Sequence, residues 1–393
     1  MTEAFHEHTG FSRREKTLYF DNAATTYPKP REVKQAVMRA LDLAGGNPGR
    51  GSHSLSLASA RTVFSCRETL TEFFNFDKPE NVVFTMNATY ALNAAIKSLI
   101  KPGSAVVTSV FEHNSVRRPL ASLGCRVAFF DPRLPAAQTL AEIESALKRG
   151  THAAVFTHSS NVLPVTAPAE SIAALCRRYG AVCIVDASQS AGIIDLDLSA
   201  LDADAVCFPG HKALYGPMGC GVCIFGRSHS GDQTMRTLIE GGSGVNSLEK
   251  GMPAFLPERF EAGTLCVPAI AGLEAGVKTI SRVGIGEIRR REYAVARRAR
   301  EILGNTPGVT LYDPPDSDGS VLLFNVDGAL PEETAAALDR HGVCARAGLH
   351  CAPDAHRAAG TLPNGAVRLS FGMFNTPDEV ETLYRIPALH GKR

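Results

Sequence analysis

The sequence lacks four features that would have directed its reading elsewhere. It has no excess of either charge: 41 lysines and arginines stand against 40 aspartates and glutamates, interspersed, for a formal charge of +1. That balance gives no electrostatic case for nucleic acid or an anionic membrane as the main partner, and leaves small molecules and proteins. No stretch approaches the roughly 20 uninterrupted apolar residues of a membrane span. The opening MTEAFHEHTGFSRREKT has no apolar core of signal-peptide length, so a cytoplasmic protein is expected. No internal repeat or low-complexity tract is visible. Nor is there the G-x-G-x-x-G of a nicotinamide-binding sheet: Gly284-Ile285-Gly286 has Arg289 where the third glycine belongs and follows a helical pattern.

What is present is length and cysteine. A chain of 393 residues can bury a large core and favours two lobes. Its ten cysteines, in a reducing compartment, read as buried apolar residues, ligands or nucleophiles rather than disulfides.

From about Asn81 to Phe225, short β-branched or apolar runs alternate with longer amphipathic ones: NVVFT with ALNAAIKSLI, AVVTS with SVRRPLASLG, RVAFF with QTLAEIESALKRG, HAAVFT with AESIAALCRRYG, AVCIVDA with DLSALD. The rhythm predicts βα units forming an α/β fold, a mostly parallel sheet covered by helices on both faces. Ligands of such sheets bind where strands end at their carboxyl side. Polar clusters fall just there, at Asn87–Thr89, Glu112–His113, Asn161, Asp186–Gln189 and Gly210–Lys212. After EGGSGVNSLEKGMPAFLPERFEAGT, helical patterns at PAIAGLEAGVKTI and GEIRRREYAVARRAREIL precede the apolar runs SVLLFNV and VRLSF and a last helix near Thr376–Leu389, consistent with a smaller α+β lobe.

Lys212 follows the strand-like DAVCF and lies between Gly210 and Gly216, where backbone can approach a ligand closely. By itself it reads equally as a solvated loop lysine. Held at the end of a buried strand, it would be desolvated and nucleophilic towards carbonyls, the chemistry of a Schiff base with pyridoxal phosphate (PLP). That cofactor needs a carboxylate at its pyridine nitrogen, and Asp186 closes the run AVCIV; a helix cap is the alternative for that residue. Its phosphate needs N–H groups at a helix start, and Asn87-Ala88-Thr89 opens one, with Thr89 equally a plain cap. His113 could stack on the ring or be a structural histidine.

Together, YFDNAATTYPKP, NPGRGSHSLS, EHNSV, SSNVLP, VDASQSAG, GHKALYGPMGCG, FEAGT, RAGLHCAP and VRLSFGMFNT resemble the class V PLP-dependent aminotransferase superfamily, within it the cysteine desulfurase and selenocysteine lyase branch. The resemblance runs from Tyr19 to Thr376. It implies a fold type I transferase: a large domain over residues 18–265 with a mostly parallel seven-stranded sheet, and a small domain over 266–393 joined by part of the N-terminal segment. It implies that Lys212 is the Schiff-base lysine, Asp186 the partner of the pyridine nitrogen, Gln189 the neighbour of the ring hydroxyl and His113 the stacked histidine that assists proton transfer. Ala88, Thr89 and His211 match phosphate contacts. Thr264 matches a residue reaching the phosphate of the neighbouring subunit, so a homodimer is implied. Asn161 matches the asparagine close to both the cofactor ring and the substrate carboxylate, Arg368 the arginine that pairs with that carboxylate, and Asn22 and Ala24 complete the substrate set. Cys351 matches the persulfide-forming cysteine.

The implied activity is removal of sulfur from L-cysteine to give alanine and a persulfide on Cys351, for passage to a sulfur-carrier protein or small thiol. Selenocysteine lyase, or another class V aminotransferase or β-lyase, is the alternative. Arg346 and His350 lie close enough in sequence to favour a Cys351 thiolate. Cys220 and Cys223 form a C-x-x-C inside a strand pattern, which points them to opposite faces and argues against a shared metal. Cys66, Cys125, Cys176, Cys183, Cys207, Cys266 and Cys344 are expected in or near the core. Two departures from the family pattern stand out: Pro209 replaces a serine or threonine two residues before His211, and Leu349-His350 replaces a His-His pair. The short span from Cys351 to Arg368 resembles the group with an ordered catalytic loop.

Overall fold

The computed structural model describes residues 17–49, 51–314 and 317–389. The N-terminal stretch read above for a signal peptide, and Arg50 of NPGRGSHSLS, lie outside the described residues. Among those described, the strands are β1 (Leu18–Tyr19), β2 (Val82–Thr85), β3 (Ala105–Ser109), β4 (Arg126–Phe130), β5 (Ala153–Thr157), β6 (Val182–Asp186), β7 (Ala205–Pro209), β8 (Gly221–Phe225), β9 (Val309–Leu311), β10 (Val321–Val326), β11 (Val343–Cys344), β12 (Arg346–Gly348) and β13 (Ala366–Ser370).

Seven of them form the large sheet in the order β2-β8-β7-β6-β5-β3-β4. Only β8 runs against the others, pairing antiparallel with β2 and β7. The expected mostly parallel seven-stranded α/β sheet is therefore found. Its central strands read as continuous apolar runs because both faces are covered. Phe156, Val185 and Phe208 face one buried cluster, and Val155, Ile184 and Cys207 face another on the opposite side. Each such side chain contributes about 1.5–3 kcal/mol on burial. Cys220 and Cys223 fall into these two different clusters, so they lie on opposite faces as the spacing predicts.

The small sheet runs β12-β13-β10-β9, antiparallel throughout. Its core gathers Phe324 and Leu369 with Val295 and Ile302 of the helix Ile285–Gly304. Leu18 and Phe20 join this same cluster, Phe20 meeting Phe371 edge-on at 5.0 Å, and β1 pairs in parallel with β11. The helix Val267–Val283 packs the other way: Ile270, Leu273, Val277 and Ile280 belong to the large-sheet core.

Two expectations need correction. The last helix is broken into a turn of helix at Pro377–Val380 and tight turns at Glu381–Arg385 and Pro387–Leu389, since Pro387 cannot donate to a continuing helix. Cys266 is exposed, because it precedes the helix whose inward face begins at Val267.

Candidate active site

The carboxyl ends of β2, β3, β5, β6 and β7 converge on one cleft of ≈ 200 Å³, closed on its far side by the small lobe. It is lined by Ala88, Thr89, His113, Asn161, Asp186, Gln189, His211 and Lys212 from the large sheet, by Ala24 from the N-terminal segment, and by Cys351 and Arg368 from the small lobe. Eleven of the thirteen residues singled out above are thus brought together.

Two are not. The Asn22 amide is spent on the carbonyls of Tyr19 and Ser370 (both 3.2 Å) and on Asn375, and its oxygen accepts from the Tyr27 N–H. It ties the N-terminal segment to β13 behind the cleft wall. Thr264 is exposed, accepts from the Asn47 amide at 3.1 Å, and borders a separate apolar cleft with Met86, Tyr90 and Ile239.

Lys212 sits on a turn after β7. The Tyr215 N–H (2.8 Å) and the Thr26 hydroxyl (2.9 Å) both donate to the Lys212 carbonyl, and the Gly216 N–H closes the turn on the Gly210 carbonyl (2.9 Å), so the lysine backbone is fixed. Burial brings its ammonium down to about 8; Asp186 opposes the fall, and Arg368 and Arg346 add to it. A large neutral fraction near physiological pH makes it a competent nucleophile and base.

Asp186 is the buried last residue of β6, and its Oδ1 accepts the Ser188 N–H at 2.9 Å. No helix starts there, which removes the capping alternative. The cap before the helix Ala88–Leu99 is Asn87, whose side chain accepts the Tyr90 N–H at 3.1 Å. Thr89 is therefore free of that duty, and its hydroxyl lies 2.8 Å from Ser115 Oγ. The turn is held tight by β8: a Cβ on Gly221 would stand 2.2 Å from the Asn87 carbonyl carbon.

His113 caps the next helix. Its Nδ1 accepts the Ser115 N–H (3.1 Å), which places the ring proton on Nε2. Burial pulls it down to about 4 against the opposing pull of Asp186, so the ring is neutral at pH 7. The preceding Glu112 points into the sheet, where its Oε1 accepts the Thr157 N–H at 2.9 Å, and burial raises it to about 8. Gln189 donates to the Ala23 carbonyl (3.0 Å). The Nδ1 of His211 is buried without a partner, and burial moves this histidine down to about 4.

Across the cleft, β12 places Arg346 directly opposite Arg368 of β13. Arg368 is 1% exposed; its Nη2 meets Asp21 at 2.6 Å, its Nη1 donates to the Asn161 carbonyl at 3.0 Å, and its Nε is buried without a partner. Asn161 in turn donates to the His350 carbonyl (2.9 Å), and the Asn114 N–H to the Cys351 carbonyl (2.8 Å). Cys351 is exposed at the cleft wall. The expectation that His350 helps to charge the site positively is corrected: the ring is buried and held far below its ordinary value by desolvation, then by Arg368, so it is neutral. Sequence reading passed over Ser115 and Asp21 altogether. The only available signal was position, within EHNSV and YFDNAATT.

Residues 18–383 match the family described as Aminotransferase class-V, and the chain belongs to this family. Its relatives narrow the class. A protein of Pyrococcus abyssi named "Probable cysteine desulfurase" is 32% identical over 379 residues, spanning 94% of this chain and 92% of its own length. One of the same name from Methanothermobacter thermautotrophicus is 32% identical over 375 residues, at 93% and 92% coverage. The apo cysteine desulfurase of Thermococcus onnurineus has the same fold at a TM-score of 0.84 and 32% identity, covering 94% of this chain and 93% of that one. The S-sulfonic acid form of a cysteine desulfurase from Escherichia coli follows at 0.81 and 26%, covering 94% and 93%. The fold is the PLP fold type I shared with these enzymes.

Proposed function

We propose that the protein is a PLP-dependent cysteine desulfurase that converts L-cysteine to L-alanine and leaves a persulfide on Cys351. The observation that carries the reading is the convergence on one cleft of Lys212 and Asp186 from the large sheet with Arg368 and Cys351 from the small lobe, the nearest cross-lobe pair, Lys212 and Cys351, being 139 residues apart in sequence.

The donor set fits PLP. A buried amine of lowered basicity suits its aldehyde, a buried carboxylate suits its pyridine nitrogen, and the helix start at Ala88-Thr89 with the unpartnered Nδ1 of His211 suits its phosphate. Ser115 and Ser188 also line the cleft and offer hydroxyls where Pro209 has none. When bound, the cofactor supplies an electron sink that makes the Cα proton acidic and weakens the Cβ–S bond.

The chain's own residues do the rest. Arg368 receives the substrate carboxylate, with Asn161 beside it. Lys212, its amine of lowered basicity, would take the Cα proton. His113, neutral with its proton on Nε2, lines the same cleft and would pass protons there. Cys351 attacks the substrate sulfur as a thiolate: an Sγ–S bond forms, the Cβ–S bond breaks with its electron pair going to carbon, that carbon takes a proton, Lys212 returns one to Cα, and alanine leaves. A positioned base contributes about 10²–10⁴-fold, so most of the acceleration falls to the cofactor and to fixed geometry.

Thr264 faces away from its own cleft beside exposed apolar side chains, which supports a homodimer in which it serves the partner's phosphate. Cys351 on an ordered turn implies that sulfur leaves through a docked carrier protein or a small thiol. Among the described residues no helix is long and apolar enough to cross a membrane, and we place the reaction in the cytoplasm. The reading is tested by incubating the purified protein with L-cysteine and with L-selenocysteine. Alanine with sulfide or persulfide is expected from cysteine; pyruvate and ammonia would indicate a β-lyase, and alanine from selenocysteine alone a lyase of that substrate.

A further inference from the structure

The turn that presents Cys351 is conformationally expensive. His350 and Cys351 lie one after the other in the left-handed region, at φ +49° and +57°, although neither is glycine. Such residues persist only where the surroundings over-determine them. Asn161 and Asn114 hold the two carbonyls, but the side chain of His350 is held from a different direction.

Its Nε2 lies 3.2 Å from the Arg346 carbonyl and its Nδ1 lies 3.0 Å from His356 Nε2. A carbonyl can only accept, so the His350 proton is on Nε2 and Nδ1 is an acceptor. His356 must then donate from Nε2, which leaves its own Nδ1 to accept from the Thr361 hydroxyl at 2.7 Å. The two rings lie nearly parallel, edge to edge across this hydrogen bond with centroids 5.2 Å apart, and His350, His356 and Thr361 are all buried. The Thr361 hydroxyl also lies 3.2 Å from the His356 carbonyl, so its one proton has two acceptors within reach, of which Nδ1 is the nearer. The Thr361 carbonyl accepts the Gly365 N–H (2.7 Å), and Gly365 abuts Gly348 just before the strand that carries Arg368.

We propose that His356, backed by Thr361, is a positioning residue for sulfur transfer: through His350 it locks the left-handed turn that presents Cys351 to the cleft and ties it to the strand of Arg368. Its functional part rests on the reading of Cys351 as the sulfur acceptor. His356 itself does not line the cleft, so its effect has to pass through His350.

The test compares His356→Leu, which fills the site without a donor, and His356→Gln, whose amide can offer an N–H near the Nε2 position, in the full-length protein loaded with PLP. Amide hydrogen exchange of peptides spanning residues 348–355 reads the turn, and alanine release from L-cysteine reads its use. In His356→Leu exchange should quicken and kcat fall, each about tenfold, the shift expected when one buried nitrogen is left unpaired. The KM and the visible absorbance of bound PLP should stay at wild-type values, and His356→Gln should recover both losses to within about threefold. Wild-type exchange or kcat in His356→Leu, or equal impairment of the two variants, overturns the proposal. If His356→Leu does not fold, Thr361→Val replaces it, with a smaller change of the same sign required and wild-type behaviour overturning it. A wild-type protein that makes no alanine from cysteine sinks the desulfurase reading, while the exchange data still decide the lock.

Discussion

The two walls of the cleft are built by different means. The sheet wall carries Asp186 as the last, still paired residue of the parallel strand β6, and Lys212 and His113 on the short hydrogen-bonded turns that follow β7 and β3. The small-lobe wall carries Arg368 inside a strand but Cys351 on a left-handed turn outside the sheet, steadied by contacts from elsewhere in the chain. Parallel strand ends place groups rigidly against a cofactor that stays put. A turn propped by side chains instead offers a group that must meet substrate, accept sulfur and give it up again.

That division can be broken by substitution. On the sheet wall, Lys212→Ala should abolish covalent PLP capture, its visible absorbance and all turnover, a loss exceeding the roughly 10²–10⁴-fold owed to a base alone. On the other wall, Arg368→Lys should raise the KM for L-cysteine about 10–100-fold in steady-state assays with a smaller change in kcat, because a point charge replaces a bidentate fork. It should leave PLP absorbance intact, and loss of that absorbance would mean that the walls are not separable.

The lowered basicity of Lys212 gives a pH signature. Its amine becomes neutral as pH rises through about 8, so PLP capture by cofactor-free protein, followed by absorbance, should quicken with pH and level off just above that value. An exposed lysine would keep gaining up to about 10.4. The smallest effect expected is at Pro209→Ser, which adds a hydroxyl at the end of β7. Its PLP off-rate should fall up to about tenfold, the worth of one neutral hydrogen bond, with kcat unchanged.

The sheet wall was also the legible one. Strands covered on both faces leave long apolar runs in the sequence, and the polar residues that follow each run, such as Asp186 after AVCIV, stand out against them. The small-lobe wall depends on register and on contacts between distant residues. Nothing local shows that Arg346 faces Arg368, that Asp21 reaches Arg368 across 347 positions, or that His350 is buried beside His356 and Arg368, where desolvation keeps it neutral. Asn22 is a case of the same kind: its motif predicts substrate contact, and only the fold reveals that its amide is consumed by Ser370 and Asn375.

The central claim is that Cys351 receives the sulfur while the sheet wall holds the cofactor. The most direct measurement is alanine release from L-cysteine by Cys351→Ala beside wild type, with the PLP spectrum recorded on the same samples. The account predicts an unchanged spectrum, alanine production lost, and no persulfide detectable by mass spectrometry of the variant. Full alanine production by Cys351→Ala would contradict it.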